Sequence, residues 1–198
     1  MIPILDSPRR LALAASLALS TFLSAQEQPN VLIIMADDWG FGSAGCYGAS
    51  EEMIQTPAID RIASEGVRFL DANTPSSVCS PTRYALLTGR YPWRTRMKKG
   101  VINMNDPLLL DPVRPSLGKW FRSSGYRTAM IGKWHLGYGS ENKKSSLDWT
   151  TEKGMVPGPL ELGFDYHFGV PQNHGDGTGV YVENRAIWGL ESSKVFPF

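Results

Sequence analysis

Several side chains in this sequence are of kinds that do chemistry, and their spacing indicates which chemistry. Asp37 and Asp38 stand side by side. Adjacent carboxylates repel each other and are stabilised by a cation. Cys79 opens the cluster Cys79-Ser80-Pro81-Thr82-Arg83, with proline where a first helical turn tolerates it. A residue at a helix N-terminus lies among amide donors at the positive end of the dipole, a position suited to sulfate or phosphate. Arg83 follows one helical turn later, and Lys133 and His135 flank Trp134.

The elements around these residues explain why they could meet. Val31-Leu32-Ile33-Ile34-Met35-Ala36 is a continuous apolar run, as expected of a strand buried on both faces of a parallel sheet. It ends at Asp37-Asp38, and in open α/β sheets ligands bind at the carboxyl ends of strands. Thr56 and Pro57 start a helix with an apolar face of Ile59, Ile62 and Ala63, stopped by Gly66. A second strand is expected over 67–72, then a loop over 73–77 that delivers Cys79. A helix runs from Cys79 to Gly89 with Tyr84, Ala85 and Leu86 inward, and another from Ser116 to Ser124. A third strand over 126–132 carries Lys133 and His135 at its carboxyl end. The remainder reads mainly as loops, with a short strand possible over 181–184.

Each group also has a plain structural role available when taken singly. Cys79 fits a small buried residue, Arg83 a surface ion-pair partner, Lys133 a solvated strand end, and His135 a ring packed on Trp134. The aspartate pair fits an ordinary solvated loop.

Composition narrows the setting. The 198 residues are 42% hydrophobic and 20% charged, which is globular rather than disordered. With 20 basic and 19 acidic residues the formal charge is +1, so no global field favours nucleic acid, and anion binding must be local. Residues 1–25 read as an export signal: Arg9 and Arg10, the apolar run from Leu11 to Leu23, then Ser24 and Ala25. That run is short of the roughly 20 apolar residues a spanning helix needs, so no stable membrane anchor is expected. The expected location is the periplasm or outside the cell. The two cysteines, Cys46 and Cys79, would pair by default in an exported protein, although their neighbourhoods differ.

Cys79-Ser80-Pro81-Thr82-Arg83, followed by Leu86-Leu87-Thr88-Gly89-Arg90, resembles the signature of the sulfatase family, whose core is Cys-x-Pro-x-Arg. Supporting blocks stand in the family's order: 29–31 through 37–40, 56–57 through 66–69, and Gly132-Lys133-Trp134-His135-Leu136-Gly137. The resemblance runs from Pro29 to the end of the chain, more weakly over 97–115 and beyond 179. It implies an alkaline-phosphatase-like α/β sandwich with a mostly parallel central sheet, present here only in its N-terminal part, over residues 26–198. It implies a sulfuric ester hydrolase in which a maturation enzyme oxidises Cys79 to formylglycine. Asp37, Asp38 and the modified Cys79 would then bind a divalent cation, usually calcium. By the same resemblance Arg83 holds the aldehyde hydrate, Lys133 meets a sulfate oxygen, and His135 takes a proton during sulfate release. Asn173 and His174 align with a segment that touches substrate in some relatives.

The sequence departs from the family in one respect. No Asp-Asn pair follows His135, and the nearest candidates, Asp176 and Asn184, stand in another context. The chain is therefore expected to be a truncated frame or a fragment that folds poorly and binds metal weakly alone. Two further readings remain open: a phosphodiester or phosphonate monoester hydrolase of the same superfamily, and a non-catalytic exported remnant.

Overall fold

The computed structural model describes residues 28–142, 149, 151–173 and 179–188. The expected export signal lies outside them. The chain divides into two units, residues 1–43 and 44–198.

In the first unit the run Val31–Ala36 is not a strand, which corrects the expectation. Leu32 and Ile34 are 83% and 79% exposed, and the strand ladder consists of other segments. β-Branched composition describes a surface that fits a sheet, and without a paired neighbour it does not make a strand. The unit ends in a 3₁₀ turn, Phe41–Ser43.

In the second unit, helices form over the expected segments, but Thr56 does not cap the first of them: its hydroxyl accepts the Gly45 amide at 2.8 Å and donates to the Asp60 carboxylate instead. Helix α1, Pro57–Glu65, starts after Thr56 with proline in its first turn and ends at Gly66. Its apolar face lies open, with Ile59 and Ile62 both exposed. Helix α2, Cys79–Thr88, ends at Gly89, whose φ of 64° is left-handed and whose amide returns to Ala85 O at 2.8 Å. Ser80, Tyr84 and Leu87 form its buried stripe at helical spacing, while Leu86 faces out. The inward residues thus include Leu87 rather than Leu86. Helix α3, Leu117–Ser123, is capped by Ser116, whose hydroxyl oxygen accepts the Lys119 amide. A single turn, α4, spans Glu152–Met155.

Among the described residues, four short strands make one open sheet in the order β1-β2-β3-β4. Strand β1, Ala129–Ile131, is parallel to β2, Tyr166–Gly169, and falls inside the expected 126–132. Strands β3, Val182–Glu183, and β4, Ala186–Ile187, add antiparallel pairings, so the described sheet is mixed. Their hairpin turns at Asn184, with φ of 54°. The second expected strand, over 67–72, is absent: Tyr47 and Arg68 side chains bond to carbonyls of Phe69 and Cys46 there, and Val67 is 82% exposed.

The core gathers Tyr84 and Leu87 from α2, Leu108–Leu110, Trp134, Leu136, Tyr138, Met155 and Leu162. Trp134, Leu136 and Tyr138 are fully buried. Removing side chains of this size from water contributes roughly 1.5–3 kcal/mol each. The segment that carries Lys133 and His135 is therefore anchored by its own apolar neighbours.

Candidate active site

The site is built from the first turn of α2, the segment 132–137 after β1, and the segment 170–173 after β2. Parallel pairing continues past the strand ends. Gly132 N donates to Phe168 O, Trp134 N to Val170 O and His135 N to Pro171 O, each at 2.9 Å. On the other side Leu109 N donates to Leu136 O at 2.8 Å. Two glycines permit this closeness. A Cβ on Gly169 would lie 1.7 Å from Gly132 O, and one on Gly137, at φ of 78°, 2.4 Å from Pro107 O.

This frame brings the Lys133 ammonium to 3.2 Å from Cys79 Sγ, and it donates to Asn173 Oδ1 at 2.7 Å. The Arg83 guanidinium donates to the carbonyl of Lys133. Cys79, Arg83, Lys133 and Asn173 are thus joined by contacts within one unit. Cys79 is half-buried at the N-terminus of a ten-residue helix. A lysine side chain beside that terminus suits the binding of an anionic group.

His135 is buried, and its backbone adopts φ of 56°, uncommon for a residue other than glycine. Its carbonyl accepts the Ser80 hydroxyl at 2.7 Å, which links it to the residue after Cys79. Asp37 and Asp38 are exposed carboxylates of the first unit, and Asp38 has φ of 54°. Adjacent hard oxygen donors fit a calcium ion in chemistry. His174 and Asp176 lie outside the described residues. Asn184 Oδ1 accepts the His167 amide at 3.1 Å, so that side chain serves the hairpin.

Cys46 and Cys79 are not bridged. The Cys46 amide donates to Asp60 Oδ1 at 2.6 Å, and burial together with that carboxylate raises the Cys46 thiol above its ordinary pKa. The default pairing gives way to two separate local frames. A half-buried, unbridged Cys79 in the Cys-x-Pro-x-Arg sequence fits conversion to formylglycine.

Two supporting residues escape a reading by residue type. Ser80 is one, visible only as a polar residue on the inward stripe of α2. Gln172 is the other: it is buried, and its Oε1 accepts the Met104 amide at 2.7 Å, fixing the backbone next to Asn173. Further inside, Tyr138 and His167 Nε2 are 3.0 Å apart and His167 Nδ1 is 3.2 Å from Met130 O. A proton on Nδ1 lets Met130 O accept and leaves Nε2 to accept from the tyrosine. Burial lowers the His167 pKa to about 4 and raises Tyr138 well above its ordinary value.

The sequence and fold resemble those of known sulfatases. The family model described as Sulfatase matches residues 29–178, and the chain belongs to the sulfatase family. An N-acetylgalactosamine-6-O-sulfatase from Bacteroides thetaiotaomicron is 38% identical over 165 residues, covering 83% of this chain and 31% of that protein. Human arylsulfatase A is 36% identical, covering 87% and 30%. Among solved structures, one from work on glycosaminoglycan metabolism by Bacteroides thetaiotaomicron superposes with a TM-score of 0.75 at 37% identity, over 84% of this chain and 33% of that one. A sulfatase from Pseudoalteromonas sp. gives 0.57 at 34% identity, over 85% and 31%. The fold class is thus that of the alkaline-phosphatase-like sulfatases. The chain spans about a third of the length of these relatives.

Proposed function

We propose that the protein hydrolyses sulfate esters, using a formylglycine that a maturation enzyme makes from Cys79. The observation that carries this reading is the Lys133 ammonium, held between Cys79 Sγ and Asn173 Oδ1 at the start of α2. Matched relatives are named for aryl, steryl and N-acetylgalactosamine sulfates, so what they share is the sulfate ester and not the alcohol.

A formylglycine hydrate at position 79 would supply the nucleophilic hydroxyl and a second hydroxyl whose deprotonation would release sulfate and regenerate the aldehyde. Asp37 and Asp38, with the oxygen at position 79, would hold a calcium ion, which would supply positive charge for the sulfate oxygens and for deprotonation of the nucleophile. Lys133 pairs with a sulfate oxygen as charge develops there. Arg83, beside the Lys133 carbonyl, holds the position-79 side chain and its charge. His135 accepts the hydroxyl proton that leaves as sulfate is expelled. Asn173 steadies Lys133, and by the resemblance to the family Asn173 and His174 would contact the substrate. Residues 1–25 direct export to the periplasm or the outside and are removed, leaving 26–198 as the N-terminal part of the catalytic domain.

The test compares turnover of an aryl sulfate and an aryl phosphodiester, with calcium and with a chelator. Faster, calcium-dependent sulfate cleavage is expected. Preference for the phosphodiester would favour the phosphodiester or phosphonate hydrolase reading, and no turnover of either would favour a non-catalytic remnant.

A further inference from the structure

Ser80 follows Cys79 in the first turn of α2, and its side chain is completely buried. The hydroxyl donates to His135 O at 2.7 Å and accepts the Ile102 amide at 3.0 Å. A serine hydroxyl has one proton to give, and here it crosses 55 positions of chain instead of serving its own helix. The recipient has φ of 56°, a conformation that persists only where surroundings hold it. His135 is held at both ends: its amide donates to Pro171 O at 2.9 Å, and its carbonyl accepts from Ser80. With the backbone fixed on both sides, the direction in which the imidazole leaves the chain is fixed relative to the helix that starts at Cys79. A buried contact of this kind is independent of what covers the exposed faces.

We infer that Ser80 is a positioning residue for the proposed reaction: through the His135 carbonyl it sets the imidazole relative to position 79, and so governs the proton transfer that releases sulfate. This rests on the sulfate-ester reading above. The hydroxyl touches no substrate, and its effect passes entirely through His135.

The test uses the full-length protein, made with its maturation enzyme, with rates expressed per formylglycine-bearing chain. Ser80→Ala should lower kcat by about tenfold or more while KM stays within about twofold, since substrate contacts are untouched. In the first turnover, alcohol should appear ahead of sulfate, because only the later proton transfer is slowed. Ser80→Thr, which keeps the hydroxyl, should restore the wild-type ratio of alcohol to sulfate. Should S80A fail to fold, Ser80→Cys, a weaker donor of similar volume, should show the same lag to a smaller degree. Loss of folded protein with wild-type kcat per active site, or a lower kcat without the lag, would overturn the inference. His135→Ala separates the two layers. A lag in H135A but not in S80A overturns the role of Ser80 alone, whereas no lag in H135A removes the proton role of His135 and that of Ser80 with it.

Discussion

The Lys133 ammonium donates to Asn173 Oδ1 at 2.7 Å while standing 3.2 Å from Cys79 Sγ. Three segments distant in sequence, the start of α2 and the turns after β1 and β2, therefore converge on one cation. Lys133→Ala should lower kcat for an aryl sulfate by about 10²–10³-fold, the cost of removing one preorganised group from a developing charge. Lys133→Arg should recover only part of this, because a planar fork cannot occupy the site of a point charge. Steady-state kinetics on the full-length protein check both.

Asn173→Ala removes the oxygen that orients the lysine. A loss of roughly tenfold in kcat/KM is expected, the equivalent of one hydrogen bond. The double variant K133A/N173A should be no worse than K133A alone if Asn173 acts through the lysine. Additive losses would instead show Asn173 contacting substrate independently.

Gly169 lies where a Cβ would sit 1.7 Å from Gly132 O. Gly169→Ala should push the two turns apart, cost at least roughly 2 kcal/mol, and lower the melting temperature by roughly 2–4 °C per kcal/mol. Gly89→Ala, with open space around its Cβ and strain only from φ of 64°, should cost less. Thermal melts of both variants order the two effects.

His167 gives a sign-determined pH dependence. Burial lowers its folded pKa to about 4 from 6.5, so between those values the unfolded chain binds more protons than the folded one. Its contribution is fully present above about pH 6.5 and is lost as pH falls toward 4, by something on the order of 3 kcal/mol. Melting temperatures from pH 7 to 4 should fall in wild type and flatten in His167→Gln.

These predictions draw unequally on what the sequence makes legible. Helices α1 and α2 were readable because their end signals are local: proline in the first turn, Pro57 or Pro81, and glycine after the last, Gly66 or Gly89. Strands are not local. Val31–Ala36 has the composition of a buried strand, yet without a paired neighbour it stays irregular and exposed. Strand β2 lies in a stretch that no pattern of alternation marks, between Pro159, Gly163 and Pro171, and is defined by its pairing with β1. Cys79, Arg83 and Lys133 stood out by type and order. Ser80 and Gln172 did not, since a buried hydroxyl or amide is recognisable only by the backbone groups it reaches.

The aspartate pair yields a metal prediction. Calcium binding by the full-length protein, followed by titration calorimetry, should weaken in Asp37→Ala and in Asp38→Ala by more than the roughly 10–100-fold typical of losing a supporting residue. Unchanged affinity would place the ion elsewhere.

The central claim concerns the atom at position 79. Mass measurement of the peptide containing Cys79, from protein produced together with a formylglycine-generating enzyme, tests it most directly. The account predicts an aldehyde in place of the thiol, captured by a hydrazide probe and absent in Cys79→Ala. A thiol left intact, or a disulfide to Cys46, in folded protein exposed to an active maturation enzyme would contradict it.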